Sequence, residues 1–174
     1  MKVVTQTEFD AVAKTDQYYR NRWPYMSKAS EIISGLKLSG RVLEIGAYKL
    51  PLVHGSDLFD ISIKGGLPLA FQRDANHLPW PVLDKAYDLF VALQVWEHLK
   101  RSKHPALFRE VERVSQWALL SFPYKWNCPK DSTHHGIDDD VIAAWTANHP
   151  HKRWLMGTGN GNRRMLCLFR FHGD

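Results

Sequence analysis

The sequence predicts an open, doubly wound α/β sheet, on three observations. Short apolar runs bounded by turn residues recur between residues 41 and 122. Several of them carry a polar or acidic residue at the carboxyl end, where open α/β sheets bind their ligands: Glu44 and Gly46, Asp60, Asp74, and Gln94 with Glu97. Apolar residues at helical spacing flank and separate these runs, and strands joined by crossovers pair in parallel with right-handed connections.

Pro24 suits the first turn of a helix, and Tyr25, Met26, Ala29, Ile32, Ile33 and Leu36 follow at helical spacing, with Ser39-Gly40 as the stop. Arg41 to Ile45 reads as the first buried strand, ended by Gly46. Leu58 to Ile63 is a second strand, Leu67 to Gln72 a weaker third and Tyr87 to Leu93 a strong fourth. A short helix is expected around Glu97, ahead of the cations of Lys100-Arg-Ser-Lys103. Pro105 opens a longer helix with Leu107, Phe108, Val111 and Val114 on its apolar face, and Trp117 to Phe122 is the fifth strand. Asp138 to Asp140 begin a helix through Trp145, since carboxylates favour a helix amino end. Two final β-like runs, His151 to Met156 and Arg164 to Phe171, flank Gly157-Thr-Gly-Asn-Gly-Asn162. That connector leads into a strand without a helix to receive a phosphate, so it reads as a hairpin turn and not a phosphate loop. No linker or repeat divides the chain, and one domain covers residues 1–174.

Composition narrows the function classes. The 44% hydrophobic content, with 11 Gly and 9 Pro, is that of a globular domain. No run approaches the roughly 20 apolar residues of a membrane span, and the start lacks a secretory pattern, so the expectation is a cytoplasmic protein without a membrane partner. Cys128 and Cys167 stand apart, which suggests neither a disulfide framework nor a zinc knuckle. The net charge of +5 comes from scattered Lys and Arg and reads as solvating surface charge in preference to a polyanion footprint.

Four ordered motifs carry a resemblance. Arg41-Val-Leu-Glu-Ile-Gly46, Asp74-Ala-Asn-His-Leu-Pro-Trp80, Tyr87 to Leu93 with Glu97-His98, and Phe108-Arg-Glu-Val-Glu-Arg-Val114 resemble the motifs of class I S-adenosylmethionine-dependent methyltransferases, closest to a small branch reading LEIG, DA..LP, LEH and RE..RV. The resemblance covers residues 38 to 123 and implies a Rossmann-like, mostly parallel seven-stranded sheet with amino-terminal helices and a terminal antiparallel hairpin. On that basis residues 1–38 form a helical lid segment, 39–123 the cofactor core and 124–174 the acceptor side.

The resemblance also implies the cofactor, S-adenosyl-L-methionine, with S-adenosyl-L-homocysteine as product, and roles for single residues. Glu44 matches the acid near the methionine end of the cofactor, and Gly46 with Ala47 the turn whose backbone approaches the ligand. Asp60 matches the ribose-binding acid, with Asp57 as its competitor. Asp74 and Ala75 match the adenine-binding pair, and Gln94 faces the sulfonium region. One departure stands out. Asp60 lies 14 residues beyond Gly46, against about 20 in a full dinucleotide unit, and Pro51 falls between them. The first crossover helix is expected to be very short or missing, which disfavours nicotinamide dinucleotides and leaves a catalytically weak or inactive scaffold as the alternative to an active enzyme.

For a general base the candidates are His98, His134 and His135. Cys128, His134 and His135 lack a second spaced pair, so no metal site is expected. Tyr19 and Arg22, in the aromatic and basic stretch Tyr18 to Tyr25, and Tyr124 are the candidate acceptor contacts. That stretch could form a lid, stack a nucleobase or staple the helix to the sheet. With no RNA-binding appendage, a small molecule or glycan is favoured as acceptor over nucleic acid. The acceptor and the oligomeric state are left open by the sequence.

Overall fold

The computed structural model describes residues 1–62, 65–147 and 150–171; Ile63, expected at the end of the second strand, lies outside them. One sheet contains seven strands: β1 Val42–Ile45, β2 Asp57–Asp60, β3 Phe71–Gln72, β4 Tyr87–Leu93, β5 Ser115–Pro123, β6 Lys152–Gly157 and β7 Arg163–Arg170. Their order is β3-β2-β1-β4-β5-β7-β6. The first five pair in parallel, and β7 runs antiparallel to both β5 and β6. The chain turns back on itself between β1 and β4, so the carboxyl ends of those two strands open the crevice where such sheets hold ligands.

Helices cover both faces. Alternation along β1 sends Leu43 and Ile45 to one side, where they meet Leu107, Phe108 and Val111 of α3 (His104–Val114) and Ile142 and Trp145 of α4 (Asp139–Thr146). Val42 faces the other side, with Tyr25, Met26, Ala29 and Ile33 of α2 (Trp23–Leu36) and Phe9 of α1 (Gln6–Thr15). Glu44, in register with Val42, therefore belongs to the α1/α2 face.

Several boundaries differ from the sequence expectation. Helix α2 ends at Leu36, not at Ser39-Gly40, because Lys37 takes a left-handed conformation (φ 53°) and its N–H closes on the Ser34 carbonyl. Strand β3 shrinks to two residues on the sheet edge, where only β2 supports it. The short helix expected around Glu97 is a pair of 3₁₀ turns, Trp96–His98 and Arg101–Lys103. Regular alternation of strand and helix survives only in the α3 crossover from β4 to β5; β1, β2, β3 and β4 are linked by irregular chain in the described residues. Helix α1 falls within the amino-terminal segment expected to be helical, and its start is written locally: Thr5 and Glu8 form a reciprocal capping box. The connector Gly157 to Asn162 does close a hairpin, with Thr158 N–H donating to the Asn162 carbonyl at 2.8 Å.

Candidate functional site

With the first crossover helix missing, the segment from Gly46 to Ser56 keeps only turn hydrogen bonds of its own, such as Leu50 N–H to Ala47 O at 3.2 Å and Ser56 N–H to Val53 O at 3.3 Å, and neighbouring elements supply others. Glu44 accepts from the Leu52 N–H (2.7 Å), the Val53 N–H (3.3 Å) and the Ser56 hydroxyl (3.3 Å). The amino-terminal strap adds Val4 N–H to Leu52 O at 2.9 Å and His54 N–H to Lys2 O at 3.0 Å. Tyr19 donates its hydroxyl to Ala47 O (3.2 Å) and accepts from Lys49 N–H (3.0 Å). Burial pushes the Glu44 carboxyl up to about 7, against the lowering effect of those donors. Glu44 thus faces the α2 side and holds the loop, Tyr19, 2% exposed, staples it, and Ala47 takes part through its carbonyl; the three border a small pocket with Gly46 and Arg22 and do not line the larger cavity at the crevice.

At the crevice one cavity of about 480 Å³ is lined by Gly46, Asp60, Asp74, Ala75, Gln94 and His98, together with Tyr18, Tyr48, Phe59, Arg73, Asn76 and Val95. Its size falls in the range of small-molecule and cofactor sites. Gly46 has φ 68°, and a Cβ there would collide with the Val95 side chain. Gln94 also adopts positive φ, 59°, and is held by its N–H to the Ser121 hydroxyl at 3.1 Å. A non-glycine residue in that conformation at a strand end marks a position the surrounding structure enforces.

The two acids on the β2/β3 side are set by local turns. Asp60 ends β2 and accepts from Ser62 N–H at 3.3 Å. Its competitor Asp57 begins the strand instead, remote from the crevice, paired with Arg41 at 2.7 Å and with the Tyr87 hydroxyl at 2.9 Å. Asp74 accepts from the backbone N–H of Asn76 (2.8 Å), which holds its carboxyl below the usual range, so it stays an anionic acceptor. The Ala75 carbonyl is fixed by Trp80 Nε1 at 2.9 Å. Trp80 is in turn anchored to α3, its N–H donating to Glu110 (2.6 Å), while Arg113 binds Glu110, Asp84 and the Val82 carbonyl. That ion pair gives the RE..RV pattern its physical role: it ties the Asp74 turn to the crossover helix.

On the other side of the crevice a second cavity of about 250 Å³ shares Tyr18 and Gln94 with the first and adds Gln17, Asn21, Arg22, Trp126, Thr158 and Asn160. Arg22 lies over the Tyr18 ring, 3.4 Å from its centroid. Tyr124 is placed elsewhere: 8% exposed, it donates its hydroxyl to Asp139 at 2.7 Å and packs in the core.

The three histidines separate. His98 lines the larger cavity, and His134 sits beside it with ring centroids 5.1 Å apart. Burial lowers the pKa of His134. His135 instead turns to the Cys128 carbonyl, with Nδ1 at 3.0 Å. Below the first two lies a buried ion pair that the sequence reading missed, Glu97 Oε1 to Arg164 at 2.8 Å with side chains 0% and 1% exposed. Arg164 also donates to the Ser121 hydroxyl at 3.2 Å. Glu97 was legible as an acid after the fourth strand and Arg164 only as the start of the last β-like run; the sheet order that places β7 beside β5 brings them together.

No family model matches the chain, and no curated protein matches it. Solved structures do. The methyltransferase domain of a bacterial Hen1 (CtHen1) superposes with a TM-score of 0.63 at 12% identity, covering 87% of this chain and all of that one. The N-methyltransferase NodS from Bradyrhizobium japonicum WM9 gives 0.60 at 15% identity, covering 84% and 96%. Magnesium protoporphyrin IX methyltransferase from Synechocystis PCC 6803, solved with bound S-adenosylmethionine, gives 0.59 at 17%, covering 84% and 78%. With the strand order and terminal hairpin described above, the chain has the fold of the class I S-adenosylmethionine-dependent methyltransferases.

Proposed function

We propose that this protein is an S-adenosylmethionine-dependent methyltransferase, with the cofactor in the 480 Å³ cavity and the acceptor in the adjoining 250 Å³ one. The observation that carries this reading is the meeting of Gly46, Asp60, Asp74 with Ala75, and Gln94 in one cavity at the switch point of the sheet. In it, Asp60 accepts from the ribose hydroxyls, and Asp74 with Ala75 addresses the adenine edge. Gly46 admits the ligand to the backbone, and Gln94 lies at the sulfonium end, between the two cavities.

The reaction is an in-line displacement: the acceptor's lone pair attacks the methyl carbon, the carbon–sulfur bond breaks and the thioether leaves. Alignment of the three atoms supplies much of the rate. His98, which lines the donor cavity, is the histidine best sited to take an acceptor proton, with His134 behind it. The smaller cavity has one aromatic wall of Tyr18 and Trp126 and polar groups from Arg22, Asn21 and Asn160, which suits a compact polar acceptor, a small molecule or a sugar unit.

Calorimetric titration with S-adenosylhomocysteine tests the donor site. One molecule is expected to bind. Asp60→Ala is expected to weaken it about 30-fold or more, the cost of hydrogen bonds to a charged acceptor, whereas Asp57→Ala retains affinity. Heat only of dilution for the wild type would overturn the proposal, and the reverse order of the two variants would overturn the ribose assignment.

A further inference from the structure

Glu97, His98 and His134 bring one carboxylate oxygen and two imidazole nitrogens within 4.8 Å of one another. Two of them come from the turn after β4 and the third from a loop 36 residues later, so the grouping is made by the fold and not by chain proximity. Glu97 is the informative member. It is 1% exposed, its Oε1 is paired with Arg164, and its Oε2 has no hydrogen-bond partner among the described residues. A buried carboxylate oxygen without a donor is costly, so such a group calls for an explanation.

The histidines are oriented by their neighbours. His134 Nδ1 meets the Ser132 hydroxyl at 3.2 Å, which leaves Nε2 on the Glu97 side, 4.0 Å from Oε1. Its ring stacks on Trp126 at 5.1 Å with the planes 11° apart. Thr133 Oγ1 lies 3.5 Å from His98 Nδ1. The loop that carries His134 is tied to the 3₁₀ turns by Arg101, which donates to the Thr133 and His135 carbonyls at 3.3 and 3.0 Å. Polar groups that fix the ring orientation of a histidine are what a metal ligand needs behind it.

We propose that Glu97, His98 and His134 form a binding site for a divalent transition-metal ion. Two imidazoles and one carboxylate are a known ligand set for such ions, and nitrogen donors favour zinc, cobalt or nickel over magnesium. Ligand nitrogens and oxygens around such an ion are about 3.3 Å apart, so the side chains close in by rotation on binding. Arg164 holds Oε1, the oxygen 4.0 Å from His134 Nε2, and Oε2 carries the unfilled valence of the same carboxylate. Three protein ligands leave coordination positions open, and His98 borders the donor cavity. Those positions are filled by water or by an oxygen or nitrogen of the acceptor. This last role rests on the methyltransferase reading; metal binding itself does not. With an ion bound both imidazoles are its ligands, so the proton role of His98 belongs to the metal-free protein.

The test uses the full chain, stripped with a chelator and titrated with zinc chloride, and with cobalt chloride as the spectroscopic probe. One ion is expected to bind, with a visible cobalt spectrum that lacks a thiolate band. His98→Ala and His134→Ala are each expected to weaken it at least about tenfold, while His135→Ala and Cys128→Ser bind as the wild type does. Circular dichroism checks the fold of each variant, and His98→Asn and His134→Asn stand in for an alanine variant that fails to fold. No binding by the wild type, or equal binding by all four variants, overturns the site. A parallel titration with S-adenosylhomocysteine in chelator keeps the two readings apart: cofactor binding without metal binding sinks only this site, and metal binding without cofactor binding sinks only the donor reading.

Discussion

Two buried glutamates at the carboxyl edge of the sheet have opposite surroundings. Glu44, 4% exposed, meets three donors from the chain that follows β1, and no cation among the described residues is paired with it. Glu97, 1% exposed, has a guanidinium on one oxygen and, among the described residues, no hydrogen-bond partner on the other. The first solves an architectural problem, holding a loop where a crossover helix is missing. The second retains an acceptor that the fold itself does not need. A buried acid in a strand therefore does not identify a ligand site until its partners are counted; the acid with the unfilled valence is the one that points outward to chemistry.

Breaking the Glu97 pair gives the largest expected effect. Arg164→Met leaves Glu97 buried without its cation and removes the donor to Ser121, and loss of one partner of a buried pair costs about 3–5 kcal/mol. Urea unfolding should show that loss, and the double variant Glu97→Gln/Arg164→Met should recover much of it, since no uncompensated charge then remains. A double variant as unstable as the single one would mean that Arg164 acts through packing and not through the pair.

Much of this arrangement was legible beforehand, and the rest was hidden for identifiable reasons. Strand β4 matched residue for residue, because a long apolar run with clean ends admits one reading. The short β3 and the 3₁₀ turns after β4 were overcalled, since pairing on one side only and local turn geometry decide them, not periodicity. Asp60, Asp74 and Gln94 could be named from their positions after strands. The partners of Glu44 and Glu97 could not. Leu52 and Val53 act through backbone N–H groups that carry no side-chain signature, and Arg164 reaches Glu97 across 67 residues by way of the antiparallel hairpin.

The unpaired charge of Glu44 sharpens the comparison through pH. Its native carboxyl holds a proton to about 7, whereas the unfolded chain releases it near 4.5, so ionisation lowers stability as pH rises between those values. His104 works in the other direction: burial drops its pKa from 6.5 to about 4, so its contribution increases with pH over that window. The two slopes oppose each other in the wild type. Glu44→Gln removes the falling one, and its stability relative to wild type should increase by up to about 3 kcal/mol from pH 4.5 to 7. A relative stability independent of pH would show that Glu44 is ionised throughout that range.

The smallest effect isolates a single donor. Ser56 is the one side-chain hydroxyl on Glu44, at 3.3 Å, beside two backbone N–H groups that mutation cannot remove. Ser56→Ala should cost about 1 kcal/mol at neutral pH, the net value of a buried hydrogen bond. The sign of its pH dependence is the sharper readout. This donor lowers the Glu44 pKa, so its removal raises the native value further, and the deficit against wild type should widen as pH climbs through 7. A deficit that narrows instead would mean that the hydroxyl accepts from a protonated Glu44. The loop would then be fastened by a neutral acid, and the contrast with the charged Glu97 pair would be wider still.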